Sequence, residues 1–134
     1  MYLRLLGILD DGSPRSPALA GDNRFPVLWR RGEDVTVEIR VVTNAGVPVD
    51  LSAATLTLTV RRRTGISDAL LTKTGAQQLA IAQNVATFSF AASDSNTIQP
   101  GAYVYDVSLA QAGATRFIVG TSRFRLEPTT SPVF

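Results

Sequence analysis

The stretch that decides the fold reads Thr55-Leu-Thr-Leu-Thr-Val-Arg-Arg62. Leucine or valine occupies every second position, and threonine fills the positions between them. Successive side chains of a β-strand point to opposite faces of the sheet, so this alternation predicts a strand with one face in a core. Leu56, Leu58 and Val60 are therefore expected to point inward.

The same period of two recurs before and after this strand. It is found over residues 35–42, 85–91, 103–109 and 115–127, and turn-forming residues such as Gly and Pro separate these stretches. No apolar stripe with a period of 3.6 residues, which would indicate a helix, has a useful length. About seven short strands with turns between them predict an all-β fold, an antiparallel immunoglobulin-like β-sandwich.

The last long stretch predicts an irregular strand. Its apolar residues are odd-numbered at first, at Phe117 and Val119, and even-numbered later, at Phe124 and Leu126. Strict alternation cannot bury both pairs on one face, so a bulge or bend is expected near Gly120.

Turn-forming residues also divide the chain into segments. Residues 10–23 are rich in Gly, Pro, Asp and Ser, which favour turns and loops. We expect residues 1–30 to form an extended N-terminal arm and loop, residues 31–127 to form the sandwich, and residues 128–134 to form a C-terminal tail. The arm would become ordered on a neighbouring subunit.

The first residues superficially resemble an export signal, but their pattern does not fit one. The apolar run is short, Arg4 interrupts it, Asp10 closes it, and no small-residue cleavage site follows. No apolar stretch approaches the roughly 18 residues that a membrane-spanning helix needs. We therefore expect synthesis in the cytoplasm and no contact with a membrane.

Composition excludes several kinds of chemistry. The 134 residues include no Cys and no His, so disulfides, cysteine nucleophiles and histidine-based catalysis or metal binding are excluded. We expect a protein that is not an enzyme and that has no metal, no cofactor and no small-molecule substrate. A formal net charge of +2 is too small to predict nucleic-acid binding.

Two sets of residues are candidates for an interface with other proteins. The apolar anchors expected on the arm are Leu3, Leu5, Leu6, Ile8, Phe25 and Trp29. The cations expected at the interface are Arg30, Arg31, Arg61, Arg62 and Arg63. For Trp29 an equally weighted alternative is that its side chain plugs one end of the sandwich. For the arginines at a strand end the alternative is that they prevent edge-to-edge pairing of sheets.

A turn before the strand of residues 103–109 predicts a structural motif. Pro100 and Gly101 form a turn signal, and Tyr103 follows at the start of the strand. In immunoglobulin-like sandwiches a tyrosine in such a place donates a hydrogen bond back across the turn. We expect Tyr103 to be this corner residue.

Four stretches together carry a resemblance to a known family. They are Arg31–Ile39, Gly46–Leu58, Ala86–Phe90 and Pro100–Val107. Their order and spacing resemble the immunoglobulin-like domains of tailed-phage virion proteins, especially the N-terminal domain of baseplate upper proteins and related tail-fibre attachment modules. A G-x-P-x-D-L-x-x-A-T link and a later P-G-x-Y strand recur there. The likeness covers about residues 31–127, and the link over residues 50–55 carries most of it.

The resemblance implies a structural role without catalysis. The expected partners are other virion proteins, in a homo- or hetero-oligomer, and the expected location is the virion. Baseplate upper proteins usually continue into a long C-terminal region, whereas this sequence stops at Phe134. This difference favours a stand-alone tail, baseplate, neck or decoration protein.

The alternative function is a carbohydrate-binding or adhesin module. Such a module needs exposed aromatic side chains on one face, and the candidates are Tyr2, Trp29 and Tyr105.

Overall fold

A computed structural model of the chain describes residues 2–10, 12, 14, 26–62, 69–77, 82–96 and 98–128. The strands of this part are β1 (Tyr2–Leu9), β2 (Val27–Arg30), β3 (Val35–Thr43), β4 (Thr55–Arg61), β5 (Ala69–Thr74), β6 (Ala76–Gln77), β7 (Val85–Phe90), β8 (Gly101–Gln111) and β9 (Ala114–Glu127). One 3-10 turn, Ala92–Ser95, lies between β7 and β8. None of the helical structure described is long and apolar enough to cross a membrane.

The strands form two sheets that enclose one core. The four-stranded sheet has the order β1-β3-β7-β6, and the five-stranded sheet has the order β2-β9-β8-β4-β5. The all-β prediction is confirmed. A purely antiparallel arrangement is wrong, because β1 runs parallel to β3 and β2 runs parallel to β9. Both sheets are therefore mixed.

The core lies where the alternating patterns place it. The inward residues of β4, Leu56, Leu58 and Val60, are at most 1% exposed. They share one hydrophobic cluster with Ile39 of β3 and Phe88 of β7, which come from the other sheet. The alternation predicted the inward face of each of these strands correctly.

The arm prediction is wrong for the strands at the start of the chain. β1 lies in register with β3 along its whole length, and β2 pairs with the end of β9. Leu5 and Ile8 are 8% and 5% exposed, and Trp29 is 1% exposed. An apolar side chain is stabilised by burial wherever a complementary face exists, and the chain's own sheets supply that face. These three residues are core residues here, not anchors on a free surface.

Trp29 plugs one end of the sandwich, which is the second of its two interpretations. Its ring lies 5.3 Å from that of Phe90 and 6.1 Å from that of Phe124, centroid to centroid. Its indole N–H donates to the carbonyl of Glu33 at 2.7 Å. The indole is thus buried with its one polar group satisfied, as buried tryptophans require.

The bulge expected near Gly120 is confirmed. Val107 pairs with residue 119 and Tyr105 pairs with residue 122, so three steps along β9 match only two steps along β8. A second register shift lies directly beside this one in β9. As a result Phe117 points outward and is 64% exposed, although its aromatic ring suggested a core residue. The bulges thus decide which face of the sheet this ring occupies.

The link over residues 50–55 is held by its backbone. The Asp50 carboxylate accepts a hydrogen bond from the backbone N–H of Ser52 at 2.9 Å, which keeps the pKa of Asp50 below its ordinary value. Leu51 is fully buried, and its N–H donates to the carbonyl of Gln83 at 2.9 Å. The N–H of Ala54 then closes a turn on the carbonyl of Leu51 at 3.0 Å. In this link the Asp side chain holds the turn, the Leu side chain fills the core, and the small residue Ala54 closes the turn through its backbone.

Tyr103 makes the bond that a corner tyrosine makes. Its hydroxyl donates to the backbone carbonyl of Gln99, four residues earlier, across the turn that contains Pro100 and Gly101. Gly101 has a φ of 159°, close to extended backbone. The bond ties the start of β8 to the segment that precedes it.

Replacing Tyr103 by phenylalanine tests this bond. Tyr103→Phe removes the hydroxyl and keeps the ring, so the free energy of unfolding should fall by about 0.5–1.5 kcal/mol, the net value of one hydrogen bond. Urea denaturation measures the change. A variant as stable as the parent would show that the corner bond does not stabilise the fold.

The 3-10 turn is held by an acidic side chain. The carboxylate of Asp94 accepts from the N–H of Ala91 at 2.8 Å and lies 2.7 Å from the ammonium of Lys73 on β5. The hydrogen bond from Lys73 is the main cause that lowers the pKa of Asp94. The pair links β5 of one sheet to the segment that follows β7 of the other.

This ion pair predicts a dependence of stability on pH. A carboxyl whose pKa is depressed by folding contributes stability above its unfolded pKa, near 3.9, and loses it as the pH falls through the folded value. Asp94→Asn should therefore lower the free energy of unfolding at pH 7 by up to about 1 kcal/mol, because the pair is partly exposed. The difference should shrink at pH 3 in urea denaturation. A difference that stays constant would contradict the role of the charge.

Candidate interaction surface

The outward side of the five-stranded sheet carries exposed apolar residues. Leu28 on β2 is 48% exposed and Phe117 on β9 is 64% exposed. Val104 on β8, paired with Arg123 of β9, lies on the same outward side and is half-buried. Polar and charged residues usually cover a sheet face that contacts solvent, so exposed apolar side chains on one face mark a possible contact with another molecule.

Register places arginines around these residues. Arg61 of β4 and Arg123 of β9 lie on either side of Val104, and Arg125 of β9 lies opposite Ala102. Directly paired residues of neighbouring strands point to the same face. We call this surface the arginine face; it consists of Leu28, Arg30, Arg61, Arg62, Ala102, Val104, Asp106, Phe117, Arg123, Arg125 and Glu127.

Two of these arginines are held by carboxylates of the same face. Arg61 Nη1 lies 3.1 Å from Asp106 Oδ2, and Arg125 Nε lies 2.7 Å from Glu127 Oε1. Both pairs are partly exposed, so each adds less than about 1 kcal/mol to stability. Their main effect is to neutralise two of the five positive charges.

The other three arginines have no such neutralisation. Arg30, Arg62 and Arg123 are exposed and form no ion pair within the described residues. Five arginines and two carboxylates give the arginine face a formal charge of +3. The face is therefore positive, although the whole chain is nearly neutral at +2.

A depression of about 420 Å³ lies in this face. Arg62, Arg123 and Arg125 line it together with Ala102 and Val104, and the flanking Tyr103 and Phe124 complete the wall. Its floor is thus apolar and its margin is cationic. Such a site recognises an anionic group that is attached to an apolar one.

The predicted cations divide between this face and other places. Arg30, Arg61 and Arg62 come together on the arginine face, whereas Arg31 lies in the turn after β2 and donates to the carbonyl of Asn96 at 2.9 Å. Arg63 lies outside the described residues.

The predicted apolar anchors do not share this face. Leu3, Leu5, Leu6 and Ile8 belong to β1 in the other sheet, where Leu3 packs against the core and Leu6 is half-buried. Phe25 lies outside the described residues. No described member of this set lies on the arginine face, and the buried members belong to the core instead.

Sequence reasoning found only the arginines at positions 30, 61 and 62 of this face. Four residues that it missed are Leu28, Phe117, Arg123 and Arg125. A signal was available for three of them: Leu28 stands between Val27 and Trp29, and Arg123 and Arg125 alternate with Ser122, Phe124 and Leu126. Alternation therefore predicts that they face outward, but only pairing shows that they face outward together.

The outward side of the four-stranded sheet holds one ion pair. Glu38 is 8% exposed, accepts a hydrogen bond from the hydroxyl of Tyr2, and lies 3.6 Å from Arg4 Nε. The hydrogen bond to Glu38 is the main cause that raises the pKa of Tyr2. Arg40 is exposed on the same side and forms no ion pair within the described residues.

The ionisable side chains with shifted pKa values have structural surroundings. No group of three or more His, Cys, Asp or Glu side chains among them is placed to hold a metal ion. The carboxyls with lowered pKa values, Asp50 and Asp94, hold backbone turns. Burial raises the pKa of Tyr105 well above its ordinary range, so its hydroxyl stays protonated.

Comparisons with known proteins show a likeness of fold to solved structures. No protein-family model and no curated protein sequence matches the chain. Among solved structures, the N-terminal domain of phage TP901-1 ORF48 matches with a TM-score of 0.51 at 12% sequence identity, over 97% of this chain and 100% of that chain. The cysteine protease inhibitor EhICP2 from Entamoeba histolytica matches at a TM-score of only 0.40 and 4% identity, over 93% and 96% of the two chains. The likeness to the phage domain is one of fold.

Proposed function

We propose that the chain is a structural component of a phage virion, without catalytic activity, that assembles by contacts with other virion proteins. The observation that carries the proposal is the fold likeness to a phage protein domain, which spans nearly the whole of both chains. The resemblance to virion immunoglobulin-like domains over residues 31–127 supports it independently. The proposal covers a tail, baseplate, neck or decoration protein.

The exposed surface supports assembly as the way the chain acts. Leu28 and Phe117 leave apolar area in solvent on a face that is also positively charged. Apolar residues surrounded by arginines are characteristic of protein–protein interfaces. The homo- or hetero-oligomer expected from the sequence belongs to this proposal.

The carbohydrate-binding alternative loses two of its three aromatic residues. Trp29 and Tyr105 are each 1% exposed, and neither ring is available for stacking on a sugar. Tyr2 is 50% exposed, but its hydroxyl is engaged by Glu38. The exposed rings of Tyr2 and Phe117 lie on different sheets, so they form no common platform, and the structural role is the better supported function.

Mass spectrometry of purified phage particles tests the proposal. Particles are banded by density from a culture that expresses the chain and separated from the soluble lysate. The chain should be enriched in the particle band together with the major tail or capsid proteins. Its retention in the soluble fraction, with those proteins present in the band, would refute the virion role.

A further inference from the structure

We propose that the arginine face binds an acidic segment of a neighbouring protein, with carboxylates between Arg62 and Arg123 and an apolar side chain over Val104. This inference deepens the proposed function, on which it rests for the partner being another virion protein. It adds the surface used and the chemistry of the partner, which the fold likeness does not supply.

Charge complementarity points to an acidic partner. Arg62, which directly follows β4, and Arg123 of β9 line the same depression of about 420 Å³ and have no ion-pair partner among the described residues. Arg61 and Arg125 beside them are held by Asp106 and Glu127. The planar guanidinium matches a carboxylate with two parallel hydrogen bonds, which a lysine cannot do. The cations with no internal partner are therefore the ones placed to receive carboxylates.

The apolar part of the face points to a protein. Val104 and Ala102 form the floor of the depression, and Leu28 lies beside Arg125 through the pairing of β2 with β9. Apolar centres with a charged margin are typical of protein interfaces. Nucleic-acid interfaces are more strongly positive and wetter.

The four-stranded sheet provides the contrast. There Arg4 lies beside Glu38, and Tyr2 donates to the same carboxylate. Arg40 is an exposed arginine on that outward side, in register with Leu6 and Val85. It resembles Arg62 and Arg123 in charge and exposure but lines no described part of their depression. It is the matched control position.

The experiment is an NMR titration of the ¹⁵N-labelled chain. The probe is a 12-residue peptide of alternating Glu and Leu, and the comparison probes are a Lys–Leu peptide of equal length and an oligothymidine of 12 nucleotides. The Glu–Leu peptide should shift the amide signals of residues 102–104 and 123–125 at up to millimolar concentration, while the Lys–Leu peptide should not. NMR detects millimolar affinity, so an absence of shifts there overturns the inference. Tighter binding of the oligonucleotide to the same residues also overturns it.

Two variants test whether peptide binding depends on this face or only on the overall charge of the chain. Arg62→Glu combined with Arg123→Glu should weaken binding of the Glu–Leu peptide at least about tenfold, and Arg40→Glu should change it less than about twofold. Equal loss in both variants would overturn the inference. Thermal melting of each variant confirms that it is folded. If the double glutamate variant does not fold, the double variant Arg62→Gln with Arg123→Gln is used in its place.

The same variants distinguish this inference from the proposed function. If the double variant enters particles as well as the parent chain does, the virion role stands and the arginine face is not its contact. If the parent chain itself is absent from particles, the virion role fails, whereas the peptide titration still reports on the surface.

Discussion

Removal of residues 2–9 is expected to abolish cooperative folding. These residues form β1, which pairs with β3 and buries Leu5 and Ile8. Each of these side chains contributes about 1.5–3 kcal/mol by burial, and the lost strand pairing adds to this. The sum is comparable with the roughly 5–15 kcal/mol by which whole domains are stable. Circular dichroism during heating should show no cooperative transition in the truncated chain. A detached arm predicts the opposite, a chain that melts like the parent.

A pair of substitutions in β1 gives the matched control. Leu5→Thr places a polar hydroxyl in the core and should lower the free energy of unfolding by about 2–4 kcal/mol. Arg4→Thr changes the neighbouring residue, whose side chain is 78% exposed, and should lower it by less than about 1 kcal/mol. Urea denaturation measures both. Equal effects would mean that β1 does not present alternate faces to core and solvent.

Replacement of Trp29 by alanine is the second change with a large expected effect. The indole fills one end of the core against Phe90 and Phe124, so Trp29→Ala leaves a cavity there. The free energy of unfolding should fall by about 3–5 kcal/mol. The indole N–H bond to the carbonyl of Glu33 is lost as well. Urea or thermal denaturation of the purified variant gives the value.

The neighbouring residue again supplies the control. Leu28→Ala, at a side chain that is 48% exposed, should change stability by less than about 1 kcal/mol. Trp29→Phe keeps most of the buried area and should recover more than half of the loss. If alanine at position 29 were tolerated as well as at position 28, Trp29 would not be the plug of this core.

The strands and their inward faces were predictable because they depend on local chemistry. The alternation around Leu56 and Phe88 shows which side chains avoid water without reference to any partner strand. The conflict between Phe117 and Phe124 predicted the bulge near Gly120 for the same reason. The sequence could not show how many irregularities β9 contains, and hence that Phe117 points outward.

The two strands within the first 30 residues, β1 and β2, were misjudged because their role depends on distant pairing. A short apolar run followed by a loop rich in Gly, Pro and Asp fits an arm and an edge strand equally well. β1 pairs with β3, whose residues lie more than 30 positions away, and β2 pairs with β9 at the other end of the chain. Strand pairing of this kind leaves no local mark in the sequence.

The candidate surface, too, was predictable only in part. The Arg61–Arg62 pair was recognisable as a charge cluster, but Arg123 and Arg125 stand about 60 positions away and looked like ordinary polar positions of a strand. They join only because β8 pairs with both β4 and β9. The ion pair between Arg61 and Asp106 is equally non-local, whereas the pair between Arg125 and Glu127 joins residues two positions apart on β9.

The sequence by itself determined that this chain is built of strands, which residues of each strand face a core, and that cysteine and histidine chemistry has no place in it. Those properties follow from side-chain alternation and composition, which are local. The tertiary structure decided that Trp29 is a plug, that β1 belongs to the sandwich, and that arginines from three strands share one face. These features depend on which strands lie side by side. Strands pair through backbone hydrogen bonds, which are the same for nearly all residue types, so the side chains do not specify the partner strand.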